Sequence, residues 1–259
     1  MPETIRDGCS IWYTVDGPPG RPALLLSNSL GTTVDLWEGL VPALAQRYRV
    51  IRYDTRGHGR SDAPGGVYSL ETLGRDALAV LDAEGVERAA VCGVSLGGLT
   101  ALWLGIHMPE RVTRLVPANT GAQIGTDALW NERIAGVEAS GVGPIVEPLL
   151  GIWFTPGFRA QHPETIARFR TMIGSSRSEG YIGCCAAVRD ADLRDRLATI
   201  ERPCLVVVGS RDVATPPSLG HLLRDRIPGA RLVTLQAAHL SNVEQPDLFL
   251  AALMEFLDE

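Results

Sequence analysis

The sequence predicts an α/β protein with a mostly parallel central sheet flanked by helices and a helical cap inserted before the last two strands. Three observations carry that expectation. Short apolar runs alternate with helix-compatible stretches, the βαβα order of a sheet with crossover helices. Most of the runs are continuous rather than alternating, as strands covered on both faces must be. One long strand-free stretch interrupts the alternation.

In chain order, strands are expected at Ile11 to Val15, Ala23 to Leu26, Arg49 to Tyr53, Ala89 to Cys92, Leu115 to Ala118, Leu205 to Val208 and Leu232 to Leu235. Helical patterns fall at Leu36 to Gln46, Leu70 to Glu84, Leu99 to His107, Leu219 to Arg226 and Glu244 to Leu257. From about Gly121 to Ala198 no convincing strand appears, while Trp130 to Glu138, Pro163 to Met172 and Glu179 to Arg189 read as amphipathic helices separated by Gly and Pro. A single crossover needs only about a dozen residues beyond the strands. The insertion is therefore expected to form a cap (121–198) over the C-terminal edge of a core made of 1–120 and 199–259.

A chain of 259 residues with 45% hydrophobic content can bury a sizeable core. Met1 to Ser10 carries charges and no long apolar stretch, and no run is long enough to cross a bilayer, so neither a secretory signal nor a membrane partner is expected. A cytoplasmic location follows by default. The formal charge of −6 argues against a nucleic-acid partner. All 24 cationic side chains are arginine, which excludes a Walker-A lysine, a PLP Schiff base and lysine-dependent aldol chemistry. Cys9, Cys92, Cys184, Cys185 and Cys204 form no C-x-x-C pair, and reduced, packed thiols are the simplest expectation. The adjacent Cys184-Cys185 pair, in a polar helical stretch, could instead face a pocket.

The run Gly93-Val94-Ser95-Leu96-Gly97 follows an apolar strand and opens a helix, the context of a nucleophile elbow. So tight a strand-to-helix turn leaves no room for side chains two residues before and after the serine. A neutral serine needs a base, and the base an orienting carboxylate. Asp212 lies just past the Leu205 strand and His239 just past the Leu232 strand. The order Ser95, Asp212, His239 is that of an α/β-hydrolase and differs from the chymotrypsin and subtilisin orders. His58 is the rival imidazole, in the loop Asp54-Thr55-Arg56-Gly57-His58-Gly59-Arg60-Ser61-Asp62, although such a glycine-rich loop is more often a brace for neighbouring turns. Asp54 also follows a strand but precedes Ser95. Oxyanion donors are expected from the Leu96 amide and from Leu30, in Ser27-Asn28-Ser29-Leu30-Gly31. Asn28-Ser29 replaces the common His-Gly pair there, which weakens a lipase or generic esterase assignment.

Four segments form a shared core pattern: Asn28-Ser29-Leu30-Gly31-Thr32, Asp54-Thr55-Arg56-Gly57-His58-Gly59, Gly93-Val94-Ser95-Leu96-Gly97-Gly98 and Gly209-Ser210-Arg211-Asp212. More particular are the cap segments Trp130-Asn131-Glu132-Arg133, Trp153-Phe154-Thr155 and Gly183-Cys184-Cys185-Ala186-Ala187-Val188-Arg189-Asp190. With these, across nearly its whole length, the chain resembles the 3-oxoadipate enol-lactonases of the β-ketoadipate pathway. The resemblance implies a serine hydrolase that needs no metal or organic cofactor and opens a small anionic enol-lactone carrying an acetate side chain. It makes Arg133 the expected partner of that carboxylate, because a guanidinium can bind one bidentately, with Trp130 and Trp153 as walls around the ring. A carboxylesterase, a perhydrolase or a carbon-carbon hydrolase could use the same serine. A non-enzymatic receptor on this scaffold would bind its ligand without turnover. An aspartate-nucleophile dehalogenase is disfavoured by Ser95. Oligomeric state is not legible.

Overall fold

The computed structural model describes residues 2–259. Among them, eight strands are formed: β1 (Glu3–Arg6), β2 (Cys9–Asp16), β3 (Ala23–Ser27), β4 (Arg49–Tyr53), β5 (Ala89–Val94), β6 (Val112–Ala118), β7 (Leu205–Gly209) and β8 (Arg231–Leu235). They build one sheet in the order β1-β2-β4-β3-β5-β6-β7-β8. The β1/β2 and β2/β4 pairs are antiparallel and every later pair is parallel. β5 is buried at all six positions, which is why its sequence shows no alternation. β1 has no counterpart in the sequence expectation. It is a four-residue edge strand of alternating, largely exposed residues, with Ile5 73% exposed, too short and too polar to stand out as an apolar run.

The helices are α1 (Val41–Leu44), α2 (Leu70–Ala83), α3 (Leu96–His107), α4 (Asp127–Ser140), α5 (Val146–Trp153), α6 (Pro156–Gln161), α7 (Pro163–Gly174), α8 (Ser178–Arg189), α9 (Pro217–Arg226), α10 (Ser241–Glu244) and α11 (Pro246–Leu257). α2 is amphipathic and starts cleanly, the Ser69 side chain accepting from Thr72 N at 3.0 Å as an N-cap does. α3 is buried at eleven of its twelve positions, so it has no polar face. α4 to α8 all lie between β6 and β7, and α5 and α6 are additional to the three helices expected there.

Two expected helices are broken. The stretch Leu36 to Gln46 is a 3-10 turn at Val34–Trp37 followed by the short α1. Pro42 at the start of α1 has no N–H to continue a helix from the preceding turn. The stretch Glu244 to Leu257 divides at Gln245 (φ −133°, ψ 58°) between α10 and α11, because Pro246 disfavours a helical conformation in the residue before it. No helix among the described residues is long and apolar enough to cross a membrane. The five cysteines are buried and form no disulfide.

Candidate active site

The parallel register aligns Ser27 with Gly93 and Gly93 with Pro117, so the loops leaving β3, β5 and β6 emerge side by side. Ser95 follows β5 with φ 57° and ψ −115°, left-handed backbone that L-residues rarely adopt. Its neighbours hold it there. Ser95 N–H donates to Ala118 O at 3.0 Å, and Thr120 Oγ1 donates to Ser95 O at 2.8 Å. A Cβ on Gly93 would come 2.1 Å from Gly97 O, and one on Gly97 would come 2.1 Å from Ser27 O. Both flanking glycines are thus demanded by backbone approach, as the elbow spacing requires. Ser95 itself remains partly exposed within a buried run.

Asp212 and His239, each 3% exposed, meet across the loops after β7 and β8. His239 Nδ1 lies 2.9 Å from Asp212 Oδ2. That oxygen also accepts from Thr215 Oγ1 at 2.6 Å and Asn119 Nδ2 at 3.0 Å, while Oδ1 accepts from Ala214 N and Thr215 N, both at 2.9 Å. Burial by itself pushes the Asp212 carboxyl up, but the His239 charge and the hydrogen bonds from His239 and Thr215 outweigh it and hold the carboxyl below its ordinary value. An ionised acceptor at Nδ1 fixes that nitrogen as the N–H and leaves Nε2 free to accept a proton.

The rivals are occupied otherwise. Asp54 Oδ1 and Oδ2 accept from Val34 N at 2.9 Å and Arg60 N at 3.0 Å. His58 Nε2 accepts from Gly31 N–H at 2.9 Å, with Nδ1 3.3 Å from Arg56 O. Burial lowers the His58 pKa to about 4, keeping the ring neutral and able to accept. His58 therefore braces the loop that carries Leu30.

Leu30 borders the cavity described below, and Leu96 is the first residue of α3, whose N-terminus has no side-chain cap. The N–H groups of Leu30 and Leu96 have no protein acceptor among the described residues. Unpaired amides at a helix start and an adjacent loop are what a developing oxyanion needs.

A cavity of about 230 Å³ brings Ser95, His239, Leu30 and Thr215 together with an apolar wall that includes Ile124, Leu149, Ile152 and Trp153. Trp153 is 3% exposed, and Trp130, on the same wall, donates from Nε1 to Ile124 O at 2.6 Å. Arg133 is half-buried and also lines it. Its guanidinium donates to Tyr181 Oη at 3.3 Å and makes no ion pair among the described residues. Asn119, Thr215 and Tyr181 were not singled out from the sequence. Asn119 alone had a usable signal, a polar residue directly after an apolar strand and before Thr-Gly. Cys184 and Cys185 are both buried and neither lines the cavity.

A serine elbow, a carboxylate-oriented histidine and free amides at the C-terminal edge of a mostly parallel sheet define the class. The family model described as alpha/beta hydrolase fold matches residues 22–246, and the chain belongs to that family. Within it, the chain is 42% identical over 237 residues to 3-oxoadipate enol-lactonase 2 of Acinetobacter baylyi, covering 92% of this chain and 89% of that protein. The enol-lactonase from Burkholderia xenovorans LB400 superposes with a TM-score of 0.98 at 38% identity, with 100% of both chains covered. A hydrolase from Pseudomonas aeruginosa PA01 superposes with a TM-score of 0.96 at 47% identity, covering 99% of this chain and 97% of that one.

Proposed function

We propose that this protein hydrolyses 3-oxoadipate enol-lactone to 3-oxoadipate, a step of aromatic-acid catabolism, through an acyl-enzyme on Ser95. The observation that carries the reading is the company Arg133 keeps: a guanidinium without an acidic partner in the same small cavity as Ser95 and His239. A carboxylated ester of small size matches that combination of charge and volume. The relatives named enol-lactonases support the substrate.

Ser95 Oγ attacks the lactone carbonyl while His239 Nε2 takes its proton and Asp212 stabilises the imidazolium. The carbonyl oxygen becomes an oxyanion held by the Leu30 and Leu96 N–H groups. Collapse breaks the ring C–O bond, and His239 returns the proton to the departing enol oxygen, which tautomerises to the ketone. The leaving group stays tethered through the acyl chain, so water enters the same site. His239 deprotonates that water, the acyl carbon accepts it, and Ser95 leaves with the proton. Residues 121–198 serve in this reading as a cap that shapes the substrate end, with Arg133 at the carboxylate and Trp130 and Trp153 along the ring. A simple carboxylesterase would use the same serine but would have no use for Arg133.

Ser95→Ala tests the chemistry. We expect kcat on the lactone to fall by at least about 10⁴-fold with the melting temperature little changed. A variant retaining near-normal kcat would remove Ser95 as the nucleophile.

A further inference from the structure

Tyr181, in α8, has no solvent exposure and lines the cavity beside Arg133. The steps above give it no task. Arg133 Nη1 donates to its hydroxyl at 3.3 Å. A guanidinium has only donors, so the phenol oxygen accepts there and its own proton needs a different partner. No acceptor for that proton is present among the described residues. Burial, the largest effect on this group, raises the phenol above its ordinary pKa, so the proton stays on the oxygen throughout the working range. A buried O–H left without an acceptor is unfavourable, and a ligand oxygen would relieve it.

The position of the ring says which part of a ligand that oxygen belongs to. A Cβ on Gly31 would come 3.3 Å from Tyr181 Cε2, and Leu30 precedes Gly31. Within a phenol ring, Cε2 and Oη are both bonded to Cζ. The hydroxyl therefore lies at the Arg133 end of the cavity and still within the length of a small molecule from the Leu30 amide.

We infer that Tyr181 is a specificity-determining residue whose O–H joins the Arg133 N–H groups in binding the carboxylate of a short substrate, close to the oxyanion amides. The inference rests on the lactonase reading for the identity of that substrate, and on the cavity alone for the carboxylate. Two donors so near the reacting centre accept an acetate-length arm and exclude a long-chain acid. They also give Tyr181 and Arg133 one shared ligand rather than separate tasks.

Tyr181→Phe keeps the ring against Gly31 and removes only the hydroxyl. Losing one hydrogen bond to a charged group should raise KM for the enol-lactone by about tenfold or more while kcat stays within about twofold. The second readout needs no turnover: in the Ser95→Ala background, the Kd of 2-furylacetate, a five-membered ring bearing the same acetate arm, is compared with that of its uncharged methyl ester. Tyr181→Phe should weaken 2-furylacetate by about tenfold and leave the methyl ester unchanged. Arg133→Ala should weaken 2-furylacetate further, with the same selectivity. If 2-furylacetate behaves in this way but the unsubstituted protein does not open the lactone, the carboxylate site stands and the lactone reading falls. Unchanged KM and Kd in Tyr181→Phe, equal losses for charged and uncharged probes, or no 2-furylacetate binding in the Ser95→Ala background would each overturn the inference.

Discussion

Ser95 tolerates left-handed backbone because Gly93 and Gly97 let the chain close around it, and the same economy of space recurs at His58. That ring is buried and neutral, with Nε2 accepting from Gly31 N–H. Its pKa near 4 in the folded protein lies below the ordinary value near 6.5 of an unfolded chain. Between those values the unfolded state binds the extra proton, so stability rises with pH there. The His58 contribution is fully present above about pH 6.5 and is lost as pH falls toward 4, by up to about 3 kcal/mol. Chemical denaturation across that window should show the loss, and His58→Gln should flatten it. An unchanged pH slope in the variant would mean that the ring protonates freely in the fold. Ser95, Asp212 and His239 were legible as candidates because each follows an apolar strand, in the chain order of an α/β-hydrolase. Tyr181 was not, since a tyrosine in a helical pattern looks like any other packing residue until its partner is seen to be a guanidinium.

Among the elements, the connection between α5 and the loop after β8 matters most to the site. Trp153 O accepts from Leu240 N–H at 3.1 Å. Glu244, on α10, is buried, accepts from Ala238 N–H at 2.9 Å and from the Thr155 hydroxyl, and has no cationic partner among the described residues. These bonds fix the residues on either side of His239 and tie them to the inserted helices. Glu244→Ala would strand buried donors of Ala238 and Thr155 at a combined cost of about 2–4 kcal/mol. Thermal unfolding should then begin roughly 5–10 °C lower, with kcat reduced more than KM. Glu244→Gln, which keeps an acceptor, should recover most of both. Retention of full kcat in Glu244→Ala would show that the loop holds its shape without this contact. Nothing in the sequence marked Glu244, because a glutamate between Asn-Val and Gln-Pro reads as a solvated helix position. The interruptions at Pro42 and Pro246 were visible as residues, yet apolar periodicity ran through them and carried the helical expectation too far.

At the scale of the whole molecule, the cavity is built from two stretches of chain. Loops after β3, β5, β6, β7 and β8 deliver Leu30, Ser95, Asn119, Asp212 and His239 to one edge of the sheet, the edge where open parallel sheets generally bind ligands. The helices between β6 and β7 deliver Trp130, Arg133, Trp153 and Tyr181. The first group could serve many acyl transfers; under the proposed function the second limits size and charge. Continuous apolar runs made the sheet readable; the order of its strands was not, since pairing between distant segments leaves no local trace. The cavity that gives Arg133 its meaning likewise exists only once α4 and α8 pack together. The most direct measurement is the initial rate of loss of 3-oxoadipate enol-lactone beside a panel of uncharged esters of similar size. Carboxylate binding in the cavity predicts a kcat/KM for the lactone that exceeds every ester by about a hundredfold, the combined worth of charge-assisted hydrogen bonds to one carboxylate. An uncharged ester turned over as well as the lactone, or better, would contradict it.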